Sequence, residues 1–176
     1  MVITLIGYRG TGKTTVGAAL AQRLGWEFLD LDPEIERQAG LSIAEIFAIH
    51  GEPHFRQLES EFLAAALQRT NIVLSPGGGA VLNPLNRQAM QAAGPVVWLH
   101  APVETIISRL ENDPATQGRR PSLTGTDVVA EVNEVLQRRL PIYQAAASQV
   151  IATDNRTPEQ ILEDIIRQLP DEIQNS

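Results

Sequence analysis

The chain has 176 residues, a length that suits one domain with a sizeable core. Apolar residues make up 43% and charged residues 20%, ordinary globular usage that excludes wholesale disorder, and no apolar stretch approaches the ~18 residues needed to span a bilayer. The formal charge of −7 argues against a broad nucleic-acid footprint, and the lack of cysteine excludes disulfides and thiolate metal sites. A binder of small molecules is expected, with any anion site depending on locally placed Arg and Lys. The N-terminus enters a strand directly and shows no secretory pattern, so a cytoplasmic location and no membrane partner are expected.

Val2 to Ile6 reads as a short buried strand, and the run Gly7-Tyr8-Arg9-Gly10-Thr11-Gly12-Lys13-Thr14 follows it. This fits the phosphate-loop pattern G-x-x-x-x-G-K-[ST] in the context that the pattern demands. Val16, Leu20 and Leu24 recur at near-helical spacing behind it. Glycines let the backbone wrap a polyphosphate with several N–H groups aimed at one anion, and the opening helix adds its positive end. Gly10, Thr11, Gly12, Lys13, Thr14 and Thr15 are therefore the candidate ATP-binding residues, with Lys13 reaching the β- and γ-phosphates and Thr14 ligating magnesium.

A second strand over Glu27-Phe28-Leu29 runs into Asp30-Leu31-Asp32. Alternate strand residues point the same way, so both carboxylates are expected at the strand's carboxyl end, where open α/β sheets bind ligands. Asp30 is the candidate for magnesium, through a water, and Asp32 for holding an acceptor hydroxyl and taking its proton. Asp32 also reads as the cap of a helix beginning at Pro33, and the two roles are compatible.

Ser42 and Glu45 form a capping box, and Arg56 lies three residues before Glu59, a spacing that lets the carboxylate hold the guanidinium fork. Leu58, Phe62 and Leu67 form an apolar stripe. A third strand at Ile72-Val73-Leu74 leads to Gly77-Gly78-Gly79, whose N–H groups can approach a ligand closely. A fourth covers Val96 to Leu99. Residues 112–126 are rich in turn formers and carry Arg119 and Arg120, which suits a lid that excludes water and delivers positive charge to a transferring phosphoryl group. Val128, Val132, Val135, Leu136 and Leu140 form another helical stripe. Arg139 lies near its end, where Pro141 is expected to kink or stop the helix. A fifth strand at Gln149-Val150-Ile151 precedes a last stripe, Ile161, Leu162, Ile165 and Leu169, and residues 171–176 read as a frayed tail. Alternation of strands and helices throughout predicts a single α/β domain over residues 1–176 with a mainly parallel sheet.

Taken together, GxxGxGKT, DLD, GExxFRxxE, GGG, the Arg-Pro of the lid and RxPxY, in this order and spacing, resemble the shikimate kinase family from Ile3 to about Leu169. The resemblance implies a three-layer phosphate-loop kinase fold of the nucleoside monophosphate kinase type, with a five-stranded parallel sheet and a lid, usually monomeric. It implies transfer of the ATP γ-phosphoryl group to the 3-hydroxyl of shikimate, giving shikimate 3-phosphate and ADP in chorismate and aromatic amino-acid biosynthesis, with Mg2+ as cofactor. By motif, Asp32, Arg56, Gly78 and Arg139 would hold shikimate, the two arginines on its carboxylate and Asp32 on its ring hydroxyls. Arg120 would be the lid arginine, Thr14 and Asp30 the magnesium site, and Arg109 with the stretch Thr153 to Pro158, including Arg156, the adenine surroundings. The chain departs from the family pattern in reading Arg-Pro-Ser-Leu in the lid, in a longer segment between Arg109 and Arg120, and in Ser75-Pro76 before the glycine triplet. A gluconate-type kinase is not expected to carry GExxFRxxE together with RxPxY. A guanine-nucleotide switch is expected to show N-K-x-D and D-x-x-G, which the chain lacks.

Overall fold

The structure, a computed structural model, describes residues 1–112 and 128–174. The expected lid, apart from Asn112 but including Arg119 and Arg120, lies outside the described residues. The chain forms β1 (Val2–Ile6), α1 (Lys13–Leu24), β2 (Glu27–Asp30), α2 (Leu31–Ala39), α3 (Ile43–Ala66), β3 (Ile72–Ser75), a 3-10 turn (Ala80–Leu82), α4 (Pro84–Ala93), β4 (Val96–His100), α5 (Val103–Glu111), α6 (Val128–Ala146), β5 (Gln149–Ala152), α7 (Pro158–Gln168) and α8 (Asp171–Gln174). All strand pairings are parallel, in the order β2-β3-β1-β4-β5.

Every residue of β1 is buried, because helices cover both faces of the sheet centre. Val2 and Ile6 pack on one face with Ile35, Phe55, Trp98 and Tyr143, while Ile3 and Leu5 pack on the other with Leu20, Val97, Ile161 and Ile165. The edge strand β5 alternates buried and exposed residues instead. Chain connections diverge around β1: β2 lies beyond β3 on one side, and β4 lies on the other. That divergence opens the crevice at the strands' carboxyl ends, where the loop after β1 sits.

Three sequence expectations are corrected. Helix α2 starts at Leu31 with Asp30, not Asp32, as its cap, since the Asp30 carboxylate accepts from the Asp32 N–H at 3.3 Å. Strand β2 therefore stops at Asp30, and the two carboxylates are set by a strand-to-helix turn, not by alternation along one strand. Helix α6 runs through Pro141 to Ala146, held by Tyr143 and Ala146, which are buried in the core. The tail residues 171–174 form α8, because Ile173 is buried against the helix-covered face of β1 and β4. The capping box at Ser42 and Glu45 forms as expected. Within α3, Gly51 adopts φ 80° and ψ 167°, which breaks the helix just before Pro53, a residue suited to the first turn of a new helical segment.

Candidate active site

The loop from Gly7 to Gly12 leaves the central strand with positive φ at Gly7, Gly10 and Gly12, conformations that glycine adopts without a Cβ penalty. A Cβ at Gly7 would stand 2.4 Å from the Leu99 carbonyl oxygen, so the loop rests directly on the backbone of β4. The Thr11 hydroxyl donates to the Tyr8 carbonyl at 2.7 Å, and the Lys13 ammonium donates to the carbonyls of Gly7 and Tyr8, each at 2.9 Å. Lys13 is buried at the start of α1 and curls over its own loop, its charge held where a polyphosphate would lie. Thr15 is exposed in the first turn of α1.

The Thr14 hydroxyl donates to Asp30 Oδ2 at 2.8 Å, which joins the end of the phosphate loop to the end of β2. Burial raises the Asp30 pKa above the ordinary carboxylate value of 3.8; the Thr14 hydrogen bond opposes this, and the nearby Asp32 charge adds to it. A hydroxyl and a carboxylate brought together in this way form a hard-oxygen donor pair that fits magnesium, and a cation there would offset the cost of the buried charge. The raised value has a sign that can be tested. Below 3.8 both folded and unfolded chains carry the proton; between 3.8 and the native value only the folded chain keeps it, so stability falls as pH rises through that window. In metal-free protein, Asp30→Asn is expected to gain stability relative to wild type as pH rises from about 3 toward neutrality. Urea midpoints at several pH values measure this, and a pH-independent difference would contradict it. Asp32 follows in the first turn of α2, half-buried, its charge near enough to Asp30 to disfavour ionisation there.

On the acceptor side the glycine triplet is the meeting point. Gly77 has φ 68°, a Cβ at Gly78 would come to 3.3 Å from the Gly7 carbonyl oxygen, and all three glycines are buried. The Gly78 carbonyl accepts from the Tyr143 hydroxyl at 2.7 Å and from Arg139 Nη1 at 3.2 Å. Continuation of α6 past Pro141 is what lets Arg139 and Tyr143 reach the same carbonyl from one helix face, four residues apart. Tyr143 is fully buried and stacks on Trp98 of β4, with ring centroids 5.7 Å apart.

Arg56 approaches the triplet from α3. Its Nη1 donates to the buried Glu59 at 2.7 Å, its Nη2 to Glu52 at 3.0 Å, and its guanidinium lies over the Phe55 ring. Burial works against the Arg56 charge, but the carboxylates of Glu59 and Glu52 outweigh it and raise the guanidinium pKa above its ordinary value. A cavity of about 370 Å³ opens beside it, lined among others by Glu52, Arg56, Glu59, Gly79 and Asn86. A Cβ on Gly79 would lie 2.3 Å from Arg56 Nη1, although the Gly79 backbone, at φ −103°, accepts any residue. Gly79→Ala is therefore expected to displace the guanidinium, to raise the acceptor KM about tenfold to a hundredfold and, because the buried Glu59 loses its partner, to lower the melting temperature, with the ATP KM little changed. A parallel loss of nucleotide affinity in steady-state kinetics would contradict this.

Arg109, in the last turn of α5, donates to the Gly10 carbonyl at 3.2 Å and to the Thr153 hydroxyl and carbonyl at 3.0 and 2.6 Å. It ties the phosphate loop to the segment after β5. Arg156 and Pro158 are not drawn into this cluster. The Arg156 guanidinium is engaged by Asp164 at 2.5 Å and by the carbonyls of Gln160 and Ala152, and Pro158 is exposed at the start of α7. The structure thus gathers Gly10, Thr11, Gly12, Lys13, Thr14, Asp30, Asp32 and Arg109 at one end of the crevice. It gathers Arg56, Gly77, Gly78, Gly79 and Arg139 beside them. Sequence reasoning passed over Tyr8 and Arg9, which occupy variable positions of the loop pattern. The ring of Tyr8 is buried with Ala101, Ile106 and Val132, and two guanidinium groups lie against it, those of Arg9 and Arg139.

Comparison with known proteins follows the same lines. The family model described as "Shikimate kinase" matches residues 9–170. The shikimate kinase of Nitratidesulfovibrio vulgaris is 45% identical over 152 residues, covering 86% of each chain, and that of Rhodopirellula baltica is 41% identical over 169 residues, covering 96% of this chain and 90% of the relative. Shikimate kinase from Acinetobacter baumannii, solved in complex with shikimate, superposes with a TM-score of 0.88 at 37% identity, covering 94% of this chain and 90% of that one. The phosphate loop, the paired arginines at the glycine triplet and these matches over nearly the full length establish that the chain belongs to the shikimate kinase family.

Proposed function

We propose that the chain transfers the γ-phosphoryl group of ATP to the 3-hydroxyl of shikimate, yielding shikimate 3-phosphate and ADP for chorismate and aromatic amino-acid biosynthesis. The observation that carries this reading is the approach of Arg56 and Arg139, from different helices, to Gly79 and Gly78 beside a complete phosphate loop. Two guanidinium groups beside one glycine-lined wall suit a carboxylate, and the adjacent loop suits a triphosphate.

Phosphoryl transfer passes through a loose transition state, so the work is alignment and neutralisation of spread charge. The loop N–H groups and Lys13 would hold the β- and γ-phosphates, and Lys13 would leave the carbonyls of Gly7 and Tyr8 to do so. Magnesium held by Thr14 and, through a water, by Asp30 would offset charge on the phosphate oxygens. Asp32 would orient the acceptor hydroxyl and take its proton. Arg56, Arg139 and the N–H groups of Gly77 to Gly79 would fix the acid. Arg109, with Arg156 and Pro158 further off, would border the nucleotide base. Arg120, outside the described residues, would close over the γ-phosphoryl group, and Arg120→Ala is expected to lower kcat far more than it raises the shikimate KM. A KM defect with unchanged kcat would remove Arg120 from the transition state.

The same reading makes residues 1–176 one kinase domain, working as a cytoplasmic monomer on two small molecules, with no nucleic-acid or membrane partner. Among the described residues no helix is long and apolar enough to cross a membrane. Release of ADP from magnesium-ATP in the presence of shikimate, of gluconate or of no acceptor tests the assignment. Stimulation by shikimate alone is the expected result, and equal rates in all three would refute it.

A further inference from the structure

We propose that Arg9, in a variable position of the phosphate loop, is a third arginine for the acceptor's carboxylate and acts with Arg139, which lies against the same Tyr8 ring. The proposal rests on the reading of the acceptor as an acid. Arg9 is half-buried, and its Nε is fully buried with no hydrogen-bond partner among the described residues. Burying a charged donor without a partner costs free energy that a bound anion would recover. The guanidinium carbons of Arg9 and Arg139 each lie 5.9 Å from the Tyr8 ring centroid, so two like charges lie against one buried ring.

Counter-charge separates these two from Arg56. Arg56 carries its own anions, Glu52 and Glu59, so that trio sums to a net negative charge. Among the described residues neither Arg9 nor Arg139 has a carboxylate within ion-pair distance. Arg9 and Arg139 therefore add uncompensated positive charge to the grip that the already paired Arg56 gives a monoanionic ligand entering the crevice. Position favours the acceptor over the nucleotide. The Arg9 backbone nitrogen lies 3.7 Å from where a Gly78 Cβ would stand, next to the carbonyl that Arg139 holds, whereas the nucleotide-side contact of the loop is the Gly10 carbonyl under Arg109.

The test compares shikimate with its neutral carboxamide in wild type, Arg9→Met and Arg9→Lys, by steady-state ADP release and by calorimetric titration of shikimate without nucleotide. Methionine keeps an apolar stem against Tyr8 while removing the charge. For Arg9→Met the shikimate KM and dissociation constant are expected to rise about tenfold to a hundredfold, as loss of a charge-assisted hydrogen bond predicts, while the carboxamide KM and the ATP KM hold steady. Arg9→Lys is expected to recover part of the loss, short of the full fork. The ratio between acid and amide is the readout that a purely structural role would not move. Equal losses for both acceptors, or a rise confined to the ATP KM, would overturn the proposal. Failure of wild type to phosphorylate either acceptor would instead strike the functional assignment, and the nucleotide-free titration would still report whether Arg9 binds the acid.

Discussion

Lys13→Ala is expected to lower kcat by about a thousandfold or more, because one side chain serves the loop before the nucleotide arrives and the phosphates afterwards. In the free protein its ammonium donates to the carbonyls of Gly7 and Tyr8, the second of which also accepts from the Thr11 hydroxyl. Alanine removes the transition-state charge and the side-chain donor to the Gly7 carbonyl, while Thr11 still holds that of Tyr8. The loss should therefore divide between turnover and loop order. Steady-state kinetics beside amide exchange of residues 7–12 separate the two. A variant retaining more than a tenth of wild-type kcat would show that the loop N–H groups and magnesium suffice without the lysine.

Asp32→Asn is expected to abolish turnover nearly completely, by about a hundredfold to ten-thousandfold, with the fold intact. The cap of α2 belongs to Asp30, so the exchange at position 32 leaves the helix start in place. Asparagine still hydrogen-bonds to a hydroxyl but does not accept its proton, and it removes one of the charges that raise the Asp30 pKa. Circular dichroism and denaturation should look like wild type while ADP release falls. Substantial activity in this variant would assign Asp32 to positioning alone.

The strands and the phosphate loop were legible in the residues because each carries a local rule. Val2 to Ile6 is apolar throughout, as a strand covered on both faces must be, and the glycine spacing of the loop admits few other conformations. Convergence of Arg56 on Glu59 followed from helical spacing. What did not follow was non-local. Pro141 signals a break, yet burial of Tyr143 and its bond to the Gly78 carbonyl outweigh the missing N–H and carry α6 onward. Asp32 signals a cap, but the turn after β2 begins two residues earlier, at Asp30. Arg9 was silent because its meaning arises only when Gly78, Tyr8 and Arg139, distant in the chain, meet around it.

The interruption at Gly51 divides α3 into two segments, each with its own hold on the core. Arg56 follows it, clamped to the buried Glu59, whereas Phe47 precedes it and touches the later segment through Phe55, ring to ring at 4.9 Å. The earlier arm is fixed as well, since Ile43 and Ile46 are buried in the core. The glycine thus lets one helix change course between two anchored ends, so the guanidinium meets its ligand already aimed.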